Sequence, residues 1–149
     1  MSGPSTQELS RRSATPADVP FLVELRRETM GCHQLASGVV PSEEDLLRRV
    51  MARFECAEII LLADQPVGLL KVARDGLDWE LIQIQLKPPL QGRGLGTLLI
   101  RGVIANARRA GASLRLNVLR ANPARRLYER LGFSVVSEKS RAVVMQLAR

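Results

Sequence analysis

Hydrophobic positions along the chain follow two spacings, one typical of helices and one typical of strands. Where they recur every three to four residues we predict amphipathic helices, and where they alternate with polar residues or form short β-branched runs we predict strands. The helices predicted in this way cover residues 15–30, 42–54, 97–110 and 122–132. The strands predicted in this way cover residues 9–14, 57–63, 67–73, 79–86, 114–118, 133–136 and 142–147. The predicted order is therefore β-α-α-β-β-β-α-β-α-β-β.

Cap and turn residues delimit these elements. Thr15 and Pro16 form a helix start, with threonine at the N-cap and proline at the first helical position. Asn122 and Pro123 repeat this start before the last predicted helix. The segment 31–41, which contains glycine and ends in proline, predicts a break between the first two helices.

Length and composition indicate a globular protein. The chain has 149 residues, of which 46% are hydrophobic and 25% charged. We expect one domain over residues 9–149, preceded by a disordered tail at residues 1–8. No apolar run approaches the roughly 18–20 residues that span a membrane, and the polar N-terminus lacks the apolar core of a secretory signal. These features predict a cytoplasmic protein.

Two cysteines and one histidine limit the chemistry of a site. Cys32 and Cys56 do not make a disulfide framework, and with His33 they supply too few ligands for a zinc site of the usual kind. The sequence therefore predicts no metal and a reducing compartment. Arginine outnumbers lysine 19 to 3, a bias that points to genomic base composition and indicates a bacterial source.

The net charge of +7 is concentrated in one segment. Residues 91–130 carry nine arginines and one acid, Glu129, a local balance of +8, whereas the other 109 residues carry 13 basic and 14 acidic groups. This distribution predicts a local anion site rather than a uniformly basic surface. Only five aromatic residues are present, which disfavours single-stranded nucleic acid held by base stacking.

A glycine-rich segment lies inside the basic stretch, between a predicted strand and a predicted helix. It reads Gln-Gly-Arg-Gly-Leu-Gly-Thr from Gln91 to Thr97. Alternate glycines let the backbone turn tightly and expose N–H groups, and the N-terminus of the following helix adds donors suited to phosphate. Arg93 adds a fixed positive charge. Taken alone, the segment is equally well explained as a tight strand–helix turn.

Two familiar phosphate-binding loops do not match this segment. A Walker A loop needs lysine followed by serine or threonine after its last glycine, but Gly96 is followed by Thr97 and Leu98. A dinucleotide-binding fingerprint needs glycine or alanine where Thr97 stands, and it belongs early in a βαβ unit.

A second motif follows some twenty-five residues later. A predicted strand is followed by Asn-Pro-Ala-Arg-Arg-Leu-Tyr-Glu-Arg-Leu-Gly-Phe, from Asn122 to Phe133. Together with Leu86 to Gly96, this motif resembles the GNAT superfamily of N-acetyltransferases. The family pattern is V-x-P-x-x-[QR]-G-x-G-x-[GA], then a strand, then N-x-x-[AR]-x-x-L-Y-x-x-x-G-F. The close match covers about residues 80–135, and the β-α-α-β-β layout before it agrees.

The departures from the family pattern are small. Leu86 replaces a frequent valine, Pro89 adds a second proline, and Arg125 and Arg126 stand where smaller residues are common. None of them removes a functional group. The resemblance implies an α/β (α+β) fold with a mixed, mostly antiparallel central sheet flanked by helices.

The resemblance implies acetyl-coenzyme A as cosubstrate. The residues that would hold its pyrophosphate through main-chain N–H groups are Gln91, Gly92, Arg93, Gly94, Leu95, Gly96 and Thr97. The strand before them, at Ile84 and Leu86, would pair its backbone with the pantetheine arm. Asn122 would contact the coenzyme, and Arg125 or Arg126 could pair with its phosphates.

The same resemblance implies direct transfer of the acetyl group to a primary amine in a ternary complex. Tyr128 matches the tyrosine that protonates the departing thiolate, and a phenol with a pKa of about 10 is a suitable acid for that step. Its alternative is a helix residue packed under the sheet. Glu80, at the start of the strand leading to the loop, is the candidate base acting through water. Its alternative is an exposed acid at a strand end.

Two residues are candidates for the site that binds the acceptor amine. His33, in the predicted break, and Asn117, opposite its apolar neighbours, are candidates for the acceptor pocket, although a lone histidine is more often an ordinary loop residue. The amine belongs to a small molecule or a protein, and the family frequently forms homodimers. Two rival functions remain: a non-catalytic coenzyme-binding regulatory module, and a basic nucleic-acid-binding protein. The second is disfavoured because the arginines are spread over several elements and no DNA-binding motif is present.

Overall fold

The computed structural model describes residues 9–37, 42–120 and 122–147, so the predicted tail at residues 1–8 lies outside the described part. The described residues form seven strands and four α-helices in the predicted order. The strands are β1 (Leu9–Ser13), β2 (Ala57–Leu62), β3 (Gln65–Asp75), β4 (Asp78–Leu86), β5 (Ser113–Leu119), β6 (Phe133–Glu138) and β7 (Ala142–Leu147). The helices are α1 (Val19–Ser37), α2 (Glu43–Met51), α3 (Leu95–Ala110) and α4 (Ala124–Arg130).

The strands form one seven-stranded sheet in the order β1-β2-β3-β4-β5-β7-β6. β1 with β2, β2 with β3, β5 with β7 and β6 with β7 pair antiparallel. β4 and β5 pair in parallel, with α3 between them in the chain. The predicted mixed, mostly antiparallel sheet flanked by helices is therefore confirmed.

The chain packs as two compact units. The first consists of Met1–Lys71 and Gln83–Gly96, and the second of Val72–Ile82 and Thr97–Arg149. Each unit has its own apolar interior. In the first, the buried cluster consists of Leu22, Leu25, Val50, Ala57, Ile59 and Leu69.

The second unit buries one face of its strands. In β5 the side chains of Leu114, Leu116 and Val118 are at most 5% exposed, whereas Arg115 and Asn117 between them are exposed. This strict alternation is the signature of a strand with one covered face. The buried residues of α3, which belong to the same unit, are Leu99, Ile100, Val103, Ile104 and Ala107.

A buried lysine caps the C-terminus of α2. Lys71, in β3, is 1% exposed, and its ammonium Nζ donates to the carbonyl oxygens of Arg49, Val50 and Ala52 at 3.3, 3.0 and 2.6 Å. Carbonyls at a helix C-terminus lack partners within the helix and carry partial negative charge, so they are suited to a cation. Burial lowers the pKa of Lys71, and the nearby Arg26 acts in the same direction.

The predicted break at residues 31–41 is wrong over its first seven positions, because α1 continues through Gly31 to Ser37. A single glycine inside a helix costs only about 1 kcal/mol, so Gly31 does not end it. The remaining predicted break, residues 38–41, lies outside the described part.

The first helical turn is tied to β1 by a buried carboxylate. Asp18 is 8% exposed and accepts from both terminal nitrogens of Arg12 at 2.8 Å and from the Thr15 N–H at 2.8 Å. Thr15 and Asp18 form a capping box on a 3-10 turn, Pro16–Asp18, that leads directly into α1. The predicted cap and proline positions are therefore confirmed, although the α-helix itself begins at Val19. The hydrogen bonds from Arg12 lower the pKa of Asp18 to about 2.

This pKa shift predicts a specific loss of stability in acid. A carboxyl whose pKa is lower in the folded than in the unfolded state stabilises the fold above its unfolded pKa of about 4. The contribution is lost as the pH falls from about 4 to about 2. We expect Asp18→Asn to lower the free energy of unfolding by about 1–2 kcal/mol at neutral pH, a range reduced to allow for solvent screening at Arg12. The variant should also flatten the dependence of stability on pH between about pH 2 and 4. Urea unfolding across that range measures both effects.

The matched control is Asp45→Asn, which removes a carboxylate that is 46% exposed and paired with Arg48 at 2.7 Å. Such exposed pairs contribute about 0.5 kcal/mol or less, so the control should leave the acid profile unchanged. An Asp18→Asn protein with the wild-type profile would contradict the assignment.

Candidate active site

The predicted glycine loop joins the end of β4 to the start of α3. The Lys87 N–H donates to the Val67 carbonyl at 2.9 Å, which holds the last residue before the loop against β3. Gly92 and Gly94 have φ angles of 78° and 79°, in the left-handed region that side chains other than glycine rarely adopt. The glycines at these two positions are therefore required by the backbone.

The loop presents unpaired backbone donors. In the described part of the chain, the N–H groups of residues 92–94 make no hydrogen bond. α3 begins at Leu95, two residues earlier than predicted, so the N–H groups of residues 95–97 belong to its first turn and lack partners one turn back. A Cβ added at Gly92, Gly94 or Gly96 would meet no atom within 4 Å. The arrangement fits a phosphate group, and the exposed Arg93 adds positive charge.

Gln91 has a different role from the rest of the loop. Its N–H donates to the Pro88 carbonyl at 3.1 Å and is not available to a ligand. Its side-chain Nε2 donates to the Leu86 carbonyl at 3.0 Å. Gln91 therefore fixes the loop to the last residue of β4.

The end of β4 is held on both sides within the first unit. A Cβ on Gly68 would lie 2.4 Å from the Gln85 carbonyl oxygen, so β3 approaches β4 closely only because residue 68 is glycine. The Gln85 side chain donates through Nε2 to the Thr29 hydroxyl at 3.0 Å, and that hydroxyl donates to the Leu25 carbonyl at 2.9 Å. Sequence reasoning missed Thr29 and Gln85. The available signal was a glutamine among the isoleucines and leucines of this strand.

The two coenzyme residues predicted on β4 lie in this fixed segment. Leu86 is 7% exposed, so its side chain is part of the interior, and Ile84 is half-buried. The parallel ladder to β5 joins Asp78–Leu81 with Ser113–Leu116, and β4 continues beyond it to Leu86.

Glu80 and Asn117, predicted separately, are in contact. The Asn117 side-chain Nδ2 donates to Glu80 Oε2 at 3.4 Å. Glu80 lies opposite Arg115 in the β4–β5 ladder, so Asn117 is its diagonal neighbour on the same face. Glu80 is half-buried and Asn117 exposed, which leaves the carboxylate reachable by water.

Tyr128 lies in α4, with its ring edge-on to Phe133 at 5.9 Å between centroids and an interplanar angle of 69°. The ring is half-buried, and this burial raises the pKa of the phenol. In the described structure its hydroxyl makes no hydrogen bond. The Tyr128 ring therefore packs against Phe133, while its phenol hydroxyl is unpaired and stays protonated across the neutral range.

The start of α4 lies one position later than predicted. The helix begins at Ala124 with Pro123 at the cap, instead of Asn122 at the cap. The Asn122 Oδ1 nevertheless accepts from the Ala124 N–H at 2.9 Å, because an asparagine side chain caps equally well from one residue further out. Its amide nitrogen stays available to a ligand. Arg125 is half-buried in the first turn.

His33 lies in α1 rather than in a loop, and its side chain is outside the described part. Among the described residues, no group of three or more His, Cys, Asp or Glu side chains is placed to hold a metal ion. In the same part of the chain, no helix is long and apolar enough to cross a membrane.

A family model described as an acetyltransferase (GNAT) domain matches residues 37–144. A comparison with curated proteins finds no match. Solved structures that resemble the chain include the PaiA N-acetyltransferase from Thermoplasma acidophilum in complex with coenzyme A. That protein is 19% identical, with a TM-score of 0.73 over 95% of this chain and 99% of its own.

Two further solved structures are similar over nearly the whole chain. An acetyltransferase from Thermus thermophilus is 24% identical, with a TM-score of 0.71 over 93% of this chain and 94% of its own. The yncA protein from Salmonella typhimurium, solved with its cofactor acetyl-CoA, is 24% identical, with a TM-score of 0.61 over 94% of this chain and 93% of its own. At these identities the likeness shows the fold.

Proposed function

The chain belongs to the GNAT acetyltransferase family, and from that premise we propose that it transfers an acetyl group from acetyl-coenzyme A to a primary amine by direct attack in a ternary complex. The observation that carries the proposal is the loop after β4. Its left-handed glycines and unpaired N–H groups run into the N-terminus of α3, and they suit a pyrophosphate.

The coenzyme contacts are proposed residue by residue. Residues 92–97 donate main-chain N–H groups to the pyrophosphate, Arg93 adds a charge-assisted contact, and Gln91 braces the loop. Ile84 and Leu86 offer their backbone to the pantetheine arm. Asn122 contributes its free amide nitrogen and Arg125 its guanidinium.

The chemical step needs a base, an acid and no covalent enzyme intermediate. The neutral amine nitrogen attacks the thioester carbonyl carbon, and the carbon–sulfur bond breaks. Glu80 receives the amine proton through a water that Asn117 helps to position. Tyr128 gives its proton to the departing thiolate and regains one from solvent. Its raised pKa favours the protonated phenol that this role requires.

Two residues, Asn117 and His33, are proposed for the acceptor pocket. Asn117 is supported by its contact with Glu80. His33 is proposed from the family resemblance alone. A cytoplasmic location, a bacterial source and a homodimer are likewise proposed.

A panel of primary amines, assayed for free thiol released from acetyl-coenzyme A, tests the proposed function. We expect release that requires both an amine and the folded protein, with N-acetylated product seen by mass spectrometry. Coenzyme binding without release on any amine would instead favour the non-catalytic regulatory module. A salt-sensitive shift of duplex DNA, unaffected by coenzyme, would favour the nucleic-acid-binding alternative.

A further inference from the structure

Four polar side chains share one face of the second unit and are here called the polar strip: Glu80, Arg115, Asn117 and Gln146. Glu80 on β4 lies opposite Arg115 on β5, and Arg115 lies opposite Gln146 on β7. Residues directly opposite one another on neighbouring strands point to the same face, as do residues two apart on one strand. All four side chains are exposed or half-buried.

The arginine of the polar strip has no ionic partner in the described part of the chain. Arg115 stands opposite Glu80, yet the Glu80 carboxylate accepts from Asn117 and forms no ion pair with Arg115. The next arginine along, Arg120, is by contrast engaged by the Glu138 carboxylate and the Lys139 carbonyl. The Arg115 guanidinium is therefore free to bind an external anion.

The charge of the second unit restricts what can approach the polar strip. Val72–Ile82 and Thr97–Arg149 contain 12 basic and 5 acidic residues, a balance of +7, whereas the first unit contains 10 of each. A field of this sign repels polycationic acceptors such as polyamines and attracts anionic groups. The acceptor must nevertheless offer an amine to the proposed base.

We infer that the polar strip binds a free, short amino acid as the acetyl acceptor. The Arg115 guanidinium binds the carboxylate of this amino acid, and the neighbouring Glu80 accepts the proton of its amine. Glu80 and Arg115 are register partners on neighbouring strands, whose backbones lie about 4.8 Å apart. That separation suits a ligand whose ammonium and carboxylate are only a few bonds from each other. A guanidinium binds a carboxylate through two parallel hydrogen bonds, which adds orientation to affinity.

The inference rests on the proposed acetyl transfer and adds the substrate class. A lysine side chain within a protein has no carboxylate attached next to its amine, and an aminoglycoside-like compound carries only positive charge. Neither would make use of Arg115. The remaining amide groups of the strip, on Asn117 and Gln146, can donate to the same carboxylate or to the side chain of the amino acid.

The test compares each of the common amino acids with its own carboxamide, which keeps the amine and side chain but removes the negative charge. We expect at least one amino acid to be acetylated with a kcat/KM about 10- to 100-fold above that of its amide, the range for a charge-assisted hydrogen bond. Arg115→Gln should bring the ratio of acid to amide close to one, and Arg115→Lys should leave it in between.

Arg120→Gln is the matched control, because Arg120 is an exposed arginine just after the same strand but is engaged by Glu138. It should keep the wild-type ratio. Titration with acetyl-coenzyme A is run on every variant and should give the wild-type affinity for Arg115→Gln.

The outcomes separate this inference from the proposed function. Acetylation with no preference for the acid, or an Arg115→Gln protein that keeps the preference, overturns the inference and leaves acetyl transfer standing. Coenzyme binding with no amino acid acetylated also overturns it. Loss of coenzyme binding in the wild-type protein would overturn the proposed function and the inference with it.

Discussion

Replacing Gly94 with glutamate is expected to abolish the binding of acetyl-coenzyme A. Gly94 has a φ of 79°, so any side chain there strains the loop by about 1–2 kcal/mol. The new carboxylate would also stand in the open space beside the loop, next to the unpaired N–H groups in sequence, and it would repel a pyrophosphate. Both effects act on the same ligand, which makes this the largest change predicted for affinity.

Thermal unfolding with and without coenzyme measures the effect. A ligand at 100 times its Kd stabilises the folded state by about 2.7 kcal/mol, and the Tm of the wild-type protein should rise accordingly. The Gly94→Glu protein should show no rise.

Gly76→Glu supplies the matched control. Gly76, in the turn between β3 and β4, also has a positive φ of 61° and also has nothing within 4 Å of an added Cβ. The two variants should lose similar stability without ligand, yet the Gly76→Glu protein should keep the full rise with coenzyme. A Gly94→Glu protein that keeps the wild-type rise would show that the coenzyme is held elsewhere.

Tyr128→Phe is expected to lower kcat by about 100-fold or more while the Kd for acetyl-coenzyme A changes little. Phenylalanine keeps the edge-on contact with Phe133, so the fold and the coenzyme site should be preserved. The variant removes only the hydroxyl, whose pKa is raised by burial and which is therefore protonated at neutral pH.

Changing the acetyl donor tests whether Tyr128 protonates the leaving thiolate. An acetyl thioester of a more acidic thiol needs less proton transfer, so the defect of Tyr128→Phe should shrink with such a donor. Stopped-flow measurement of thiol release with both donors gives the comparison. Unchanged turnover, or an equal defect with both donors, would remove Tyr128 from the role of acid.

Much of the fold was predictable because its signals are local. The strict alternation of β5 and the periodic spacing of α3 gave elements whose bounds the structure moves by only one or two residues. The loop was predictable for the same reason, since Gly92 and Gly94 mark positions where the backbone itself needs glycine.

The parts that were not predicted depend on which strands lie side by side or on the balance of small free energies. The Glu80–Asn117 contact joins residues 37 positions apart and follows from the parallel register of β4 and β5, which neither strand encodes alone. In the sequence, Lys71 is an ordinary charged residue in a predicted strand. Its role as a hydrogen-bond donor to the last carbonyls of α2 follows only from the packing of that helix against β3. α1 runs past Gly31 because one glycine costs too little to stop a helix.

The net positive charge of the chain lies in one of the two units. The whole balance of +7 resides in the second unit, where Arg120 is engaged by Glu138 and Arg115 is not paired with Glu80. Arg93, in the loop of the first unit, is the cation closest in sequence to the unpaired N–H groups. The two roles proposed for positive charge, coenzyme phosphate and acceptor carboxylate, therefore rest on different residues and can be tested separately.

The most direct test of acetyl-coenzyme A as the ligand of this fold is a calorimetric titration of the folded wild-type protein with the coenzyme. We expect saturable binding to a single site per chain, weakened by added salt because the phosphates meet Arg93 and main-chain donors. A protein with intact secondary structure by circular dichroism that shows no saturable binding would contradict this expectation.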